Sequence, residues 1–410
     1  MSFQEVSPDR PSAAGAEWQP DALAQSLMTA ALTLQPQLIA LRRELHRYPE
    51  LAFDEVQTAQ LIANALRDRG MTVRGGIGKT GLVVDIDGGQ EGKTLLVRAD
   101  MDALPIQEIN ELAWRSERPG LMHACGHDLH CATLLGVGML LHQRASLLKG
   151  RVRLMFQPAE ETFQGAAAMI ADGVLAQVDY VLGFHNRPSL DVGRFGVMAG
   201  ATTASSDRFE IVIEGEDGHS ARPFQARSAL VAGAQLVMQI QAIVGNEIDP
   251  LDACAVALGS FQSGHAANII PGQARLQGTV RARSETARQQ AAQTLRRLCL
   301  ALEQSHRVTC RLDYQQGVPA AVNDIGLTAL ADRAVRAQFG AVIDPVSPGM
   351  GGEDFALLSE RVPGFRLHVG SSQPGRNDRV HTSDYQPDEG CIVSGVAALT
   401  RIALAILDSE

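Results

Sequence analysis

The residues able to do chemistry in this chain fall into a few short motifs. MHACGHDLH sets Cys125, His127 and His130 within six residues of one another, where a loop is expected to run into a helix. Thiolate and imidazole are good ligands for borderline-soft divalent metals. A C-x-H pair alone is equally compatible with a buried turn, so the rest of the chain must decide. FQPAEE places Glu160 and Glu161 side by side after an apolar run. Two adjacent carboxylates in a Pro-containing turn repel unless a cation or solvent separates them, and a metal plus a catalytic base resolves that conflict. His185 closes the apolar run VDYVLGF, and His381 follows a Gly/Ser/Pro-rich loop. Either histidine taken singly reads as structural.

Together Cys125, His127, Glu161, His185 and His381 supply five protein ligands. That is enough for two metal ions that share one bridging ligand and keep positions open for water. Two-metal sites with ions about 3.5–4 Å apart activate hydrolytic water. Cys/His/Glu donors accept zinc, manganese, cobalt or nickel, and availability often decides among them; two divalent ions per subunit, zinc or manganese first, are the expected cofactors.

These residues need a frame that brings distant segments together. The stretch from Asp21 to Tyr48 repeats apolar residues at three- and four-residue intervals and reads as a helix stopped by Pro49. A second helix is expected over Asp54 to Arg69. The runs LVVDID and TLLVRAD, a helix after His127, RVRLMFQ, a helix from Gly165 to Val174, and VDYVLGFHN then alternate. Such alternation predicts an α/β fold, a mixed, largely parallel sheet flanked by helices. Ligands bind at the carboxyl ends of strands in open sheets of this kind, and RADMDALP, FQPAEE and GFHN all follow strand-like runs.

The pattern changes near Ala204 to strand, helix, strand, strand, helix, strand, the β-α-β-β-α-β order of a ferredoxin-like α+β sandwich. After about Val318 helix, strand and helix resume, so the second unit is inserted into the first. The expected organisation is a weakly ordered leader over 1–20, a catalytic domain formed by 21–203 and 318–410, and an inserted dimerisation or lid domain over 204–317. Length supports this, since 410 residues exceed the roughly 250–300 beyond which one core stops growing.

Composition excludes several classes. A net charge of −10 argues against a nucleic-acid partner, which needs a basic surface; the RRLCL and LRREL pieces read as ordinary helix faces. Six cysteines without a compact spacing framework read as thiols in a reducing compartment rather than a disulfide scaffold. No run of 18 apolar residues occurs and the first 20 residues hold no apolar signal core. A cytoplasmic protein with no membrane association is expected.

MHACGHD, FQPAEE, the Gly-x-His motif, GHSA, N-x-I-P, GGEDFA and the late VH occur in the order found in one family. The chain resembles the co-catalytic metallo-aminoacylase and carboxypeptidase family. Within it, the resemblance is to hippurate hydrolase, the plant auxin-conjugate (IAA-amino acid) hydrolases and bacterial N-acyl-L-amino acid amidohydrolases, and it covers about Leu34 to the C-terminus. It implies a metal-dependent amidohydrolase of the dinuclear metallopeptidase type acting on N-acyl amino acids as small-molecule substrates. It also implies a homodimer or higher homo-oligomer.

By that resemblance Cys125 bridges both metals, with His127 and His185 completing one site and Glu161 and His381 the other. Glu160 is then the general base, taking a proton from the attacking water and returning it to the leaving amine. Asp102 supports a ligand from behind, and Asp100 stands where other branches carry a ligand His. His219 of GEDGHSA matches a histidine that reaches a neighbouring subunit's site and stabilises the oxyanion. Asn268 and Arg281 match substrate-binding positions, the Arg suited to a bidentate clamp. Gly352, in GGEDFA, lies in a loop expected to line the pocket. The chain departs from the pattern at Asn186, where relatives commonly have a small apolar residue, and at Thr382 and Asp384.

Two other readings compete. A thiol nucleophile, Cys125 activated by His127, leaves Glu161, His185 and His381 without a role. A catalytically silent binding relative has no use for Glu160. RGGIGKTG at Arg74 to Gly81 is no phosphate loop, because its spacing is wrong and a strand-like run follows it.

Overall fold

Asp21 caps the first helix, its carboxylate accepting the Ala24 N–H at 2.7 Å, and α1 runs Ala22–Arg47. The computed structural model describes residues 19–409, so residues 1–18 of the expected leader lie outside the described residues. Along α1, Ala24, Leu27, Ala31, Leu34, Leu38 and Leu45 are buried, the stripe that three- and four-residue spacing dictates. A shorter helix, α2 (Val56–Arg67), follows.

The next strands are β1 (Val73–Ile77), β2 (Gly81–Asp87), β3 (Gln90–Asp100), β4 (Lys149–Gln157), β5 (Tyr180–Asp191) and the two-residue β6 (Phe195–Gly196). The inserted unit supplies β7 (Asp207–Glu214), β8 (Cys254–Ser263), β9 (Gln273–Ala282) and β10 (Thr309–Gln315). The chain then returns to the first sheet with β11 (Ile343–Asp344) and β12 (Gly364–Ser372). The larger sheet has the order β1-β2-β4-β3-β5-β12-β6-β11. Its centre, β4, β3, β5 and β12, is parallel, with antiparallel pairs at β1/β2, β2/β4 and β12/β6.

Helices cover both faces. On one, α1 packs with α3 (His127–His142), α7 (Ile325–Phe339) and α9 (Cys391–Leu407) over Leu95, Val97, Leu182, Phe184 and Leu367. On the other, α4 (Gly165–Ala171) and the short α8 (Phe355–Ser359) pack over Leu96, Met155 and Val181. Nearly all of α3 is buried, which explains its apolar character all round.

The inserted strands form a separate antiparallel sheet, β8-β9-β7-β10. Helices α5 (Ala229–Gln241) and α6 (Glu285–His306) share its core of Ile211, Ile213, Leu236, Leu276 and Leu295. The element order is the expected β-α-β-β-α-β. Along α5 and the turn before it, Phe224, Val231 and Met238 are 79%, 57% and 71% exposed, which leaves an apolar face uncovered. No described helix is long and apolar enough to cross a membrane.

The glycine-rich strand β1 has no counterpart among the elements expected from the sequence, and two local readings are corrected. The helix expected over Gly165 to Val174 ends at Ala171. The LRREL piece is not an ordinary helix face, because Arg42 is only 2% exposed and its Nε lies 2.8 Å from the Asp128 carboxylate. Arg42 falls on the apolar stripe between Leu38 and Leu45, and a cation on that stripe signals a buried partner.

Candidate metal centre

Each ligand-type side chain sits where a strand or loop ends at the carboxyl edge of the parallel strands. β4 ends at Gln157, and the turn after it holds Glu160 and Glu161. This turn is tightly wound: Ala159 has φ of 52° and Phe163 of 57°. It is fastened by Glu55, buried at the start of α2, which accepts the Ala159 N–H at 2.8 Å. A Cβ on Gly165 would stand 1.5 Å from the Pro158 carbonyl oxygen, so only glycine fits there. Gly126, with φ of 89°, turns the chain from Cys125 into α3 and sets His127 at the helix start. His185 lies on β5. His381, in the left-handed region at φ of 62°, is stitched to the Cys125 loop by its N–H, which donates to the Ala124 carbonyl at 2.8 Å.

The structure brings the five candidate ligands together in two groups that share one member. Cys125, His127 and His185 form one, and Cys125, Glu161 and His381 the other, with the ligand atoms of each within 4.8 Å of one another. The Cys125 sulfur lies 3.4 Å from His185 Nε2, and Glu161 Oε1 lies 3.3 Å from His381 Nε2 and 3.8 Å from His127 Nε2. The donor set suits borderline divalent ions. Buried His127 Nε2 and Glu161 Oε1 have no hydrogen-bond partner among the described residues, although buried polar atoms nearly always have one. A cation between them would satisfy both.

Most atoms behind the ligands are engaged, Asp102 Oδ1 being an exception. His127 Nδ1 is held by the Asp102 carbonyl at 2.8 Å, which turns Nε2 toward the cluster. The Asp102 carboxylate accepts the Glu161 N–H at 2.9 Å, so one residue orients two candidate ligands. His185 Nδ1 is held by the Asn186 carbonyl at 2.7 Å. Asp100 does not stand free as a ligand. Its carboxylate pairs with His130 Nδ1 at 2.5 Å and with Arg98 at 2.7 Å, and is 3.7 Å from His127 Nε2.

Electrostatics follow from burial and charge. Burial, with the Glu161 charge beside it, pushes the Cys125 thiol up to about 12, and a bound cation would reverse that by favouring the thiolate. Burial and the neighbouring carboxylates Glu353, Asp354 and Glu161 raise Glu160 well above the usual carboxylate range. His185 is pushed well down by burial and by His130 and Arg366, which keeps its imidazole neutral. For His127 burial works against the charged form, yet Asp100 and Cys125 overcome it and hold the imidazole well above its ordinary value.

Sequence reasoning missed several supporting residues. Arg98 is fully buried and contacts Asp100, Glu353 at 3.1 Å and Asp354 at 2.8 Å; Gln157 bridges Arg98 and Asp354. GGEDFA therefore contributes counter-ions as well as a loop. The glycine at 352 permits a close approach by Phe163, whose ring would lie 2.7 Å from an added Cβ. The Asn186 side chain bridges His130 and the Tyr385 hydroxyl. Arg42 and His46 both contact Asp128, and His46 also pairs with Glu108.

In the inserted unit, His219 and Asn268 stand together and exposed. The Ser220 N–H donates to the Asn268 carbonyl at 3.2 Å, and Ile269 pairs with His219. Neither belongs to the Cys125 groups. Arg281 reaches back to the first sheet's domain, donating to the Met350 carbonyl at 3.1 Å.

The carboxyl edge of the mixed sheet thus carries two ligand groups that share a thiol, the arrangement of a candidate dinuclear metal centre. Residues 96–405 match the peptidase family M20/M25/M40, and the chain belongs to that family. It is similar to an N-acetyl-L-cysteine deacetylase of Bacillus subtilis, 37% identical over 92% of this chain and 90% of the relative. It is also similar to the hippurate hydrolase of Campylobacter jejuni, 35% identical over 93% of this chain and all of the relative. Among solved structures, the YXEP protein of Bacillus subtilis, described as a dinuclear metal binding peptidase from the M20 family, superposes with a TM-score of 0.83. That match has 34% identity and covers 92% of this chain and 100% of YXEP.

Proposed function

We propose that this protein is an amidohydrolase that cleaves the amide bond of N-acyl amino acids or conjugates, with acetyl, benzoyl or a similar acyl group. The observation that carries the reading is the sharing of Cys125 between the two three-ligand groups, with Glu160 grouped beside His127 and Glu161. In this reading Cys125, His127 and His185 hold one divalent ion and Cys125, Glu161 and His381 the other, zinc or manganese, with cobalt or nickel suited to the same donors. Once bound, the ions polarise the scissile carbonyl and lower the pKa of water.

The chain's own groups do the rest. Glu160 takes the proton of the attacking water and returns it to the leaving amine nitrogen; its raised pKa suits a base that must also act as an acid. Asp102 keeps His127 and Glu161 in place. His219, exposed on the inserted unit, donates to the developing oxyanion from a neighbouring subunit, while Asn268, Arg281 and Gly352 contact the substrate. Residues 204–317 then serve as the dimerisation and lid domain between the catalytic parts 21–203 and 318–410. The exposed apolar face of α5 supports a homodimer or higher homo-oligomer. Six unpaired cysteines support a cytoplasmic location.

The test is hydrolysis of an N-acetyl and an N-benzoyl amino acid after chelation and after adding back manganese or zinc. Loss on chelation and recovery on re-addition are expected. Chelator-resistant activity would favour Cys125 as a nucleophile, and no turnover with any metal would favour a binding protein.

A further inference from the structure

The face of the large sheet that carries His185 changes sign from one side to the other. β5 and β12 run parallel with Gly183 opposite Arg366, His185 opposite His368 and Arg187 opposite Gly370. Side chains alternate between faces along a strand, so Arg366, His368, His185 and Arg187 all project from one face. Toward β3 stand Asp100 and the Glu160–Glu353–Asp354 group, of which Glu353 reaches Arg366; Arg366 and His368 lie on β12 and Arg187 on β5 itself.

The basic side is short of counter-charge. Arg187 is half-buried, makes no ion pair among the described residues, and donates through Nε only to Ser189 Oγ at 3.2 Å. His368, opposite His185 on the same face, is 7% exposed. Arg366 is also 7% exposed. One carboxylate oxygen of Glu353 meets it at 3.1 Å, but Glu353 is shared with Arg98, and Arg366 Nε has no hydrogen-bond partner. Burying like charges together is unfavourable unless an anion joins them, and a guanidinium fork matches a carboxylate.

We propose that Arg187, Arg366 and His368 form an anion subsite beside His185 that receives a carboxylate of the substrate. The identity of the anion rests on the N-acyl amino acid reading; the subsite's preference for negative charge does not. The carboxylate is either the α-carboxylate of the amino acid or a second one on an acidic side chain.

Arg187 is the residue to vary, because its side chain bonds only Ser189 and its loss leaves the Arg98–Glu353–Arg366 core intact. Metal-reconstituted wild type and the Arg187→Gln, Arg187→Glu and Arg187→Lys variants, each with circular dichroism and metal content matching wild type, are assayed on three substrates. These are N-acetyl-L-methionine, its neutral amide and N-acetyl-L-glutamate. For Arg187→Gln we expect KM for a carboxylate substrate to rise at least tenfold, with kcat/KM for the neutral amide falling by a several-fold smaller factor. Arg187→Glu should be worse and Arg187→Lys should recover part of the loss. A defect on both acids identifies the α-carboxylate, and a defect on N-acetyl-L-glutamate alone identifies a second carboxylate. Equal loss on acid and amide, or no loss, overturns the proposal.

Should wild type hydrolyse none of the three, the functional reading fails. The subsite is then decided by calorimetric titration with succinate. Binding by wild type that Arg187→Glu abolishes sustains it, and identical titrations of the two proteins overturn it.

Discussion

The Cys125 cluster and the His219–Asn268 pair differ in how completely they are built. Around Cys125 nearly every atom behind a candidate ligand is engaged: Asp102 holds His127 and Glu161, Asn186 holds His185, and the Ala124 carbonyl fastens His381. His219 and Asn268, by contrast, are exposed and fastened only to each other's strands and to the adjacent turn. The first region is arranged in advance by its own domain. The second presents chemistry-bearing side chains outward, which is what a site completed by another surface requires. Metal binding should therefore depend on the first region alone, and turnover on both.

Four substitutions sharpen or break that contrast. The largest effect is expected at Glu160: Glu160→Gln should lower kcat by about 10²–10⁴, the usual contribution of a positioned general base, with metal content unchanged. Activity in that variant near the wild-type level would remove Glu160 from the base role. Second is Asp128→Asn, which breaks a buried pair with Arg42 and His46. Removing one partner of such a pair costs about 3–5 kcal/mol, to be read by urea denaturation. Stability within 1 kcal/mol of wild type would show that the α1–α3 lock contributes little.

Third, His219→Ala should slow turnover by about 2.7–4 kcal/mol of barrier, as loss of one oxyanion donor does, while metal affinity and thermal stability stay at wild-type values. If metal binding fell with activity, the division between the two regions would be wrong. The smallest effect is expected at Asp102→Ala, where loss of a group behind the ligands typically reduces metal affinity or activity by about 10–100-fold. Unlike His219→Ala, this change should weaken metal binding, measurable by competition with a chromogenic chelator.

Much of the fold was legible because its parts are locally determined. Asp21 marked the start of α1 and Pro49 its end, and the β-α-β-β-α-β order of the insert could be read from alternating periodicities. Glu161 and His185 were legible because each follows an apolar run, Cys125 and His127 because of their close spacing, and His381 only through the order of motifs it completes. What could not be read depends on pairing across the chain. Arg98 meets Asp354 across 256 positions, and nothing local to GGEDFA announces that its acids face a buried guanidinium. The Arg187–Arg366–His368 group exists only through the register of β5 against β12. Arg42 lies between these cases, since its place on the apolar stripe of α1 is visible in the sequence although its partner Asp128 is not.

The central claim is that one thiolate joins two cation sites. Isothermal titration of the metal-free protein with zinc or manganese tests it most directly. Two ions per chain are expected for wild type, and loss of tight binding at both sites for Cys125→Ala. A single ion per chain, or a Cys125→Ala variant that binds two ions as wild type does, would contradict it.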